Sequence, residues 1–170
     1  MSRPDLTRIP EYYHRYIQQV TGDHLPDIFA AQMPEVISFL QNIPPDKSGY
    51  RYADGKWSVK ELLQHVIDAE RIFAYRALCI DRNDKTPLPG FDENSYAEHS
   101  RADKRDWSEL IEEFRAVRRA TEMLFNSLDE EQLNETGTAS GKPVYVSGIG
   151  FIIAGHLNHH INILKDRYLK

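Results

Sequence analysis

Two histidines four residues apart, His156 and His160, lie in the apolar stretch 147–164 near the end of the chain. Apolar residues recur through this stretch at helical spacing. Side chains four residues apart on a helix are neighbours, with roughly 5–6 Å between their Cβ atoms. A buried imidazole needs a partner for each ring nitrogen. A single metal ion bound by both rings would be an economical partner.

A third histidine, His65, lies between Leu62 and Ala69 in the apolar stripe of an earlier predicted helix. Helical bundles build metal sites from side chains on facing helices, so His65 can complete this site. Three imidazoles suit zinc or nickel, with iron or manganese as alternatives. Three protein ligands leave one position open, which is typical of catalytic rather than structural zinc. That position could hold water, whose pKa falls to ~7 on zinc, or a substrate thiolate.

The simpler alternative for each histidine is a hydrogen-bonded residue of the core. Spacing alone leaves this alternative open. The segment 156–160 reads His-Leu-Asn-His-His and has no carboxylate between its histidines, so it is not the HExxH signature of zinc proteases. The Glu-x-x-His pairs of di-iron bundles are also absent from the histidine helices, which disfavours a di-iron centre.

The long connection 83–105 contains two carboxylates, Asp92 and Glu93, that could act on a substrate. Long loops inside compact domains are often functional. If this loop folds over the metal, Asp92 or Glu93 could serve as a general base or as a fourth ligand. Alternatively, Asp92 caps a short helix that runs through Tyr96.

Other polar residues near the histidines have a functional and a simpler interpretation. His159 points about 100° away from His160 on a helix, which favours a surface or supporting position. Arg71 and Arg76 could bind an anionic substrate, although surface ion pairing is the simpler expectation. Asp68 and Glu70 lie within a turn of His65, where solvated carboxylates are expected.

The composition favours one globular domain, 1–170, with a net charge of −5. Three arginines, 115, 118 and 119, are spread around the surface by helical spacing, so no basic patch forms and nucleic-acid binding is disfavoured. The chain has one cysteine, Cys79, so an internal disulfide is excluded, which fits a cytoplasmic location. We expect Cys79 to be a small apolar residue rather than a nucleophile. The sequence contains no signal-peptide core and no run of ~18 apolar residues, so no membrane association is expected.

Helical periodicity predicts an all-α four-helix bundle with long crossover connections and a short N-terminal helix. A capping box of Ser58 and Glu61 predicts the start of the second long helix, and Ser147 is the predicted cap of the last. The connector before that helix contains a brief extended piece around 144–146. The predicted helices span residues 9–21, 24–41, 58–81, 107–128 and 147–164.

The order of three motifs resembles the DinB-like superfamily of the DinB/YfiT type. They are Trp57-Ser-Val-Lys-Glu-Leu-Leu-Gln-His65, Leu88-Pro-Gly-Phe-Asp92 and Gly155-His156-Leu-Asn-His159-His160. The likeness covers about residues 9 to 168, and it is specific because both order and spacing agree. It implies a four-helix bundle that carries a divalent metal on three histidines, which correspond to His65, His156 and His160.

The resemblance also implies a class of function. Family members are often homodimers, and those with assigned chemistry include metal-dependent enzymes that act with low-molecular-weight thiols such as bacillithiol or mycothiol. Others are called metal-dependent hydrolases. We therefore expect a metal-dependent enzyme in which the ion activates water or a thiol toward a small-molecule substrate. The rival hypothesis is a non-catalytic metal-binding protein with a structural or stress-linked interaction role.

Overall fold

The computed structural model describes residues 3–169 as a helical structure with one small hairpin. The helices are α1 His14–Ile17, α2 Leu25–Gln41, α3 Val59–Asp81, α4 Glu93–Ser100, α5 Trp107–Asn126, α6 Glu130–Asn134 and α7 Val146–Ile163. The strands β1 Thr136–Ala139 and β2 Lys142–Tyr145 pair in antiparallel fashion. A π-helical turn, Leu164–Tyr168, follows α7.

The long helices α2, α3, α5 and α7 form a four-helix bundle, which confirms the predicted fold class. Helix α3 packs on α5 and α7, and α2 packs on the same two helices. Two long connections cross the bundle: one contains α4, and the other contains α6 and the hairpin. Buried apolar residues form one cluster around Phe29, Phe125 and Phe151 and a second around Leu63, Phe114 and Leu157.

Among residues 3–169, none of the helices has the length and apolar character that a membrane crossing requires.

The start of α3, which carries His65, is fixed by the predicted capping box. The Glu61 backbone N–H donates to Ser58 Oγ at 3.1 Å, and the Ser58 backbone N–H donates to Glu61 Oε2 at 2.9 Å. These bonds satisfy two backbone N–H groups at the beginning of the helix, where no helical partner exists. The capping box therefore sets where α3 begins and which of its faces contacts α7.

Three predicted boundaries differ from the structure. The N-terminal segment is broken into a 3-10 turn, Glu11–Tyr13, and the four-residue α1 rather than one helix over 9–21. Helix α7 begins at Val146 directly after β2, with Tyr145 as its N-cap, so Ser147 is not the cap. The extended piece at 144–146 is one arm of a complete hairpin, whose other arm was not predicted.

The hairpin turns through Ser140 and Gly141, which both have positive φ, 53° and 71°. Two consecutive positive φ angles are typical of the type I′ turn that suits a two-residue hairpin loop, and Gly adopts this conformation readily. The Leu88 backbone N–H donates to Thr138 O at 2.9 Å, and the Ser140 N–H donates to Leu88 O at 3.0 Å. The hairpin therefore holds the connection that leads into α4 against the bundle.

A buried polar network ties the four long helices together. Arg118 on α5 donates from Nε and Nη2 to the two carboxylate oxygens of Glu70 on α3, at 2.8 and 2.9 Å. Its Nη1 donates to Gln32 Oε1 on α2 at 2.9 Å. Gln32 in turn donates to Ala154 O and to Asn158 Oδ1 on α7, at 2.9 and 2.7 Å. The expectations of a surface position for Arg118 and a solvated Glu70 were therefore wrong.

Helix α7 approaches α1 unusually closely at Gly155. A Cβ atom built at this position would lie 2.1 Å from the Tyr16 carbonyl oxygen. Only glycine permits this backbone contact, because every other residue would place side-chain atoms inside the neighbouring carbonyl. The contact brings Tyr16 against the part of α7 that carries His156.

Candidate metal centre

The imidazoles of His65, His156 and His160 converge between α3 and α7. His156 Nε2 lies 3.1 Å from His65 Nε2 and 3.0 Å from His160 Nε2. One potential ligand atom from each ring lies within 4.8 Å of the other two. His156 and His160 share a face of α7 because four residues complete about one helical turn, and His65 faces them from α3. The predicted pairing of the two helices at these residues is therefore present.

All three rings are buried and electrically neutral at neutral pH. Their exposed fractions are 5, 6 and 8% for His65, His156 and His160. Burial lowers the pKa of His65 to about 4. Burial, reinforced by neighbouring imidazoles, lowers the pKa values of His156 and His160 well below their ordinary value. Neutral rings keep a lone pair on one nitrogen, which is the form that binds metals.

Aromatic side chains surround the three imidazoles. The ring centroid of Trp57 lies 4.7 Å from that of His65. Tyr16 and Phe73 contact His156 edge-on, with centroids at 5.3 and 5.9 Å. These contacts restrict rotation of the imidazole rings. Such packing holds a group of ligands in a fixed geometry before any ion binds.

The donor set fits a cation better than it fits hydrogen bonds between the rings. An imidazole Nε2 has one in-plane site, which holds either a hydrogen or a lone pair. His156 Nε2 therefore cannot hydrogen-bond both neighbouring Nε2 atoms at once, although both lie at hydrogen-bond distance. A cation at the meeting point would accept all three lone pairs together.

Two cavities adjoin the three histidines. The first, which we call the aromatic cavity, has a volume of about 260 Å³. It is lined by Tyr12, Tyr13, Tyr16, Ala69, Phe73, Gly90 and Phe91, by His65 and His156, and by the polar residues Arg76, Glu93 and Ser140. Its size and aromatic walls suit a small organic molecule.

The second cavity, which we call the basic cavity, has a volume of about 390 Å³ and reaches His160. Lys56, Arg167 and His159 contribute its basic side chains, and Trp57 and Tyr52 are among its aromatic walls. A larger cavity of about 500 Å³ lies near the start of α7 and includes none of the three converging histidines. The aromatic and basic cavities therefore both reach the candidate centre.

The two carboxylates of the long connection have different positions. Asp92 is the N-cap of α4, where its Oδ1 accepts hydrogen bonds from Asn94 N and Ser95 N at 3.0 and 3.1 Å. It does not line either cavity beside the histidines. Glu93, the next residue, lines the aromatic cavity together with His65 and His156. Of the two, only Glu93 lies where it could meet a molecule bound in that cavity.

The remaining candidate residues differ in their burial and in their distance from the three converging histidines. His159 is half-buried and lies outside the converging trio, with its ring edge-on to Tyr16. Arg71 forms the expected surface ion pair, with Nη1 at 2.6 Å from Glu113 Oε1. Arg76 is instead buried and lines the aromatic cavity, so surface ion pairing was wrong for this residue. Its burial was hidden in the sequence because the covering residues come from 89–91 and the hairpin.

The sequence matches a family model described as the DinB superfamily over residues 28–164. This match covers most of the chain and includes all three converging histidines. The chain therefore belongs to the DinB superfamily, which confirms the resemblance drawn from its motifs. The search of curated proteins returned no match.

Solved structures support the same fold. YfiT from Bacillus subtilis, described as "a probable metal-dependent hydrolase with an unusual four-helix bundle topology", superposes with a TM-score of 0.70. That alignment has 17% identity and covers 96% of this chain and 89% of YfiT. A mycothiol-dependent maleylpyruvate isomerase superposes with a TM-score of 0.66 at 12% identity, covering 96% of this chain and 67% of the isomerase. At these identities the likeness establishes a shared fold.

Proposed function

We propose that this chain is a divalent-metal-dependent enzyme of the DinB/YfiT type, with the ion bound by His65, His156 and His160. The observation that carries the proposal is the convergence of three neutral, buried Nε2 atoms from two helices beside a cavity. The donor set suits zinc or nickel, with iron or manganese as alternatives. Three protein ligands leave a position for a further small ligand, as catalytic sites require.

The bound ion would supply Lewis acidity, which lowers the pKa of a water or thiol that reaches it. The side chains of this protein would do the rest. Trp57, Tyr16 and Phe73 would hold the imidazoles in place through their ring contacts. Glu93 is the carboxylate placed to accept a proton from a molecule in the aromatic cavity. Asp92 would act through the cap that holds the start of α4 in place.

The proposal includes two possible reactions, which differ in the nucleophile. Water as the nucleophile would give hydrolysis, and a low-molecular-weight thiol would give group transfer. The hydrolase is supported by the likeness to YfiT over nearly its full length. The thiol-dependent transferase is supported by the presence of two cavities at the histidines. The aromatic cavity could hold the substrate while the basic cavity holds an anionic thiol cosubstrate. The mycothiol-dependent isomerase with this fold is consistent with such a use.

The first test is the metal content of purified protein, measured by mass spectrometry of the element. His65→Ala, His156→Ala and His160→Ala should each lose most of the metal found in the wild type. His159→Ala is the matched control, because this histidine lies beside His160 but outside the trio. Metal content that stays undiminished in all three variants would overturn the proposal.

A second test separates an enzyme from a structural metal protein. In cobalt-substituted protein, azide or 2-mercaptoethanol should change the visible spectrum if the ion has an exchangeable position. A purely structural ion would leave the spectrum unchanged and support the non-catalytic, stress-linked alternative. A spectrum that responds to the thiol more strongly than to azide would favour transfer over hydrolysis.

Further features of the proposal follow from the composition and from the family resemblance. We propose a single DinB-like domain over 1–170, a homodimer, a cytoplasmic location, and a small-molecule substrate rather than nucleic acid. Light scattering on purified protein tests the dimer, since a monomer at micromolar concentration would contradict it.

A further inference from the structure

Arg76 on α3 is a buried arginine without an acidic partner. Its exposed fraction is 3%, and its hydrogen bonds within 3.5 Å to residues 3–169 go to a carbonyl and a hydroxyl rather than to a carboxylate. The other deeply buried arginine, Arg118, is paired in bidentate fashion with Glu70. A buried charge is costly unless it is paired, so an unpaired guanidinium in a cavity wall is an unusual feature.

The contacts of Arg76 fix its position and leave part of it available. Its Nη2 donates to Pro89 O at 2.7 Å and to Ser140 Oγ at 3.1 Å. The Tyr13 hydroxyl also lies beside the guanidinium, whose charge opposes the rise in the pKa of Tyr13 that burial causes. Among the described residues, the hydrogen bonds within 3.5 Å engage Nη2 and leave Nε and Nη1 for a ligand. An arginine presents its N–H groups in a planar fork that matches a carboxylate in bidentate fashion.

Arg76, His65 and His156 line one cavity, and the Phe73 ring contacts both Arg76 and His156. The Phe73 ring centroid lies 5.9 Å from that of His156 and 5.7 Å from Arg76 Cζ. The aromatic cavity thus has a cationic end at Arg76 and a candidate metal-binding end at His65 and His156. Glu93 also lines the cavity, but the hydrogen bonds of Arg76 Nη2 go to Pro89 O and Ser140 Oγ rather than to its carboxylate.

We propose that Arg76 binds the carboxylate of the small-molecule substrate, which makes this substrate an organic acid. The position of the reacting end rests on the function proposed above, whereas anion binding by Arg76 does not. One guanidinium in a cavity of about 260 Å³ matches the size and single charge of a small carboxylate. A doubly charged phosphate is a poorer match, because Glu93 in the same wall repels the additional charge.

The test uses benzoate as a probe, with benzamide as its neutral analogue of the same shape and inorganic phosphate as a second anion. Titration of the wild-type protein should shift the Arg76 Nε–Hε signal in its nitrogen–proton NMR spectrum with benzoate but not with benzamide. Binding of benzoate should weaken about tenfold or more in Arg76→Gln, because a charged hydrogen-bonding group is lost. Arg71→Gln, five residues earlier and exposed, is the matched control and should bind as the wild type does.

Three results would overturn the proposal: equal benzoate affinity in wild type and Arg76→Gln, equal binding of benzamide, or preferential binding of phosphate. The NMR titration on the wild type decides the question even if Arg76→Gln does not fold. His160→Ala separates this proposal from the metal proposal, because His160 lies outside the aromatic cavity. Retained benzoate binding in that variant, with or without metal, supports the role of Arg76 independently. Loss of benzoate binding in His160→Ala, together with an Arg76 signal that benzoate does not shift, would show that the carboxylate binds the ion instead.

Discussion

Two buried polar clusters both include residues of α3 and α7 and differ in how well their polar atoms are satisfied. Around Arg118, the guanidinium is bonded to Glu70 and Gln32, and the network continues to Asn158. Around His156, three ring nitrogens meet although they cannot all hydrogen-bond one another. Buried polar groups are normally satisfied. The cluster around Arg118 therefore stabilises the fold, and the cluster around His156 is suited to bind a cation.

The largest expected effect on stability comes from breaking the hydrogen-bonded cluster around Arg118. Glu70→Gln leaves the Arg118 guanidinium buried without its counter-charge, which should lower the free energy of unfolding by about 3–5 kcal/mol. Urea unfolding measures this loss. Arg71→Gln removes an exposed ion pair on the same helix and should cost less than about 1 kcal/mol. Similar losses in the two variants would remove the difference between this cluster and the surface.

The histidine cluster should make the metal-free protein sensitive to acid. The unfolded chain binds a proton on His65 near its ordinary pKa of 6.5, whereas the folded chain does so only at about 4. The contribution of His65 to the free energy of unfolding is therefore complete above pH 6.5. It is lost as the pH falls from 6.5 to about 4, and the loss is roughly 3 kcal/mol.

Urea unfolding of chelator-treated protein between pH 7 and pH 4 measures this slope. His65→Ala should show a smaller slope, because one of the three buried imidazoles is gone. A wild-type protein whose stability is flat over the whole range contradicts the assignment of these rings as buried and neutral.

A smaller effect is expected where the backbone supports the histidine cluster. Gly155→Ala places a Cβ against the Tyr16 carbonyl and forces α1 away from α7, at a cost of about 1–3 kcal/mol. The wall that Tyr16 forms against His156 should loosen, and metal affinity should fall with it. Gly49→Ala is the matched control, because a Cβ there meets nothing within 4 Å. Thermal unfolding and metal titration that do not distinguish the two variants would show that the α1 contact is unimportant.

The smallest effect is expected at the edge of the site. Asp92→Ala removes the cap of α4 and should cost about 1 kcal/mol. Its metal content should match that of the wild type, since Asp92 lies outside the converging trio. Loss of the metal in this variant would instead make Asp92 a fourth ligand.

The features that depend only on neighbouring residues in the sequence could be predicted. The apolar periodicity of α3 and α7 is a local property, and it places His65, His156 and His160 on the faces that meet. The Ser58 and Glu61 capping box is local as well. The bundle, the converging histidines and the family therefore agree with expectation.

Features that depend on a distant partner could not be predicted. Arg118 and Glu70 look like ordinary surface charges until the packing of α3 on α5 brings them together. Arg76 becomes buried only because residues 89–91 and the hairpin cover it. The hairpin itself had a signal, the Ser140-Gly141 dipeptide between two short extended segments. This dipeptide alone does not predict a hairpin, because the flanking segments are only four residues long and too short to show the alternation of a strand.

The central claim is that one cation binds to three imidazoles from two helices. Anomalous X-ray diffraction from a crystal of the metal-loaded protein tests it most directly. We predict one strong peak bonded to the Nε2 atoms of His65, His156 and His160, with a further position open toward a cavity. A peak bound elsewhere, or three rings turned apart with no peak between them, would contradict it.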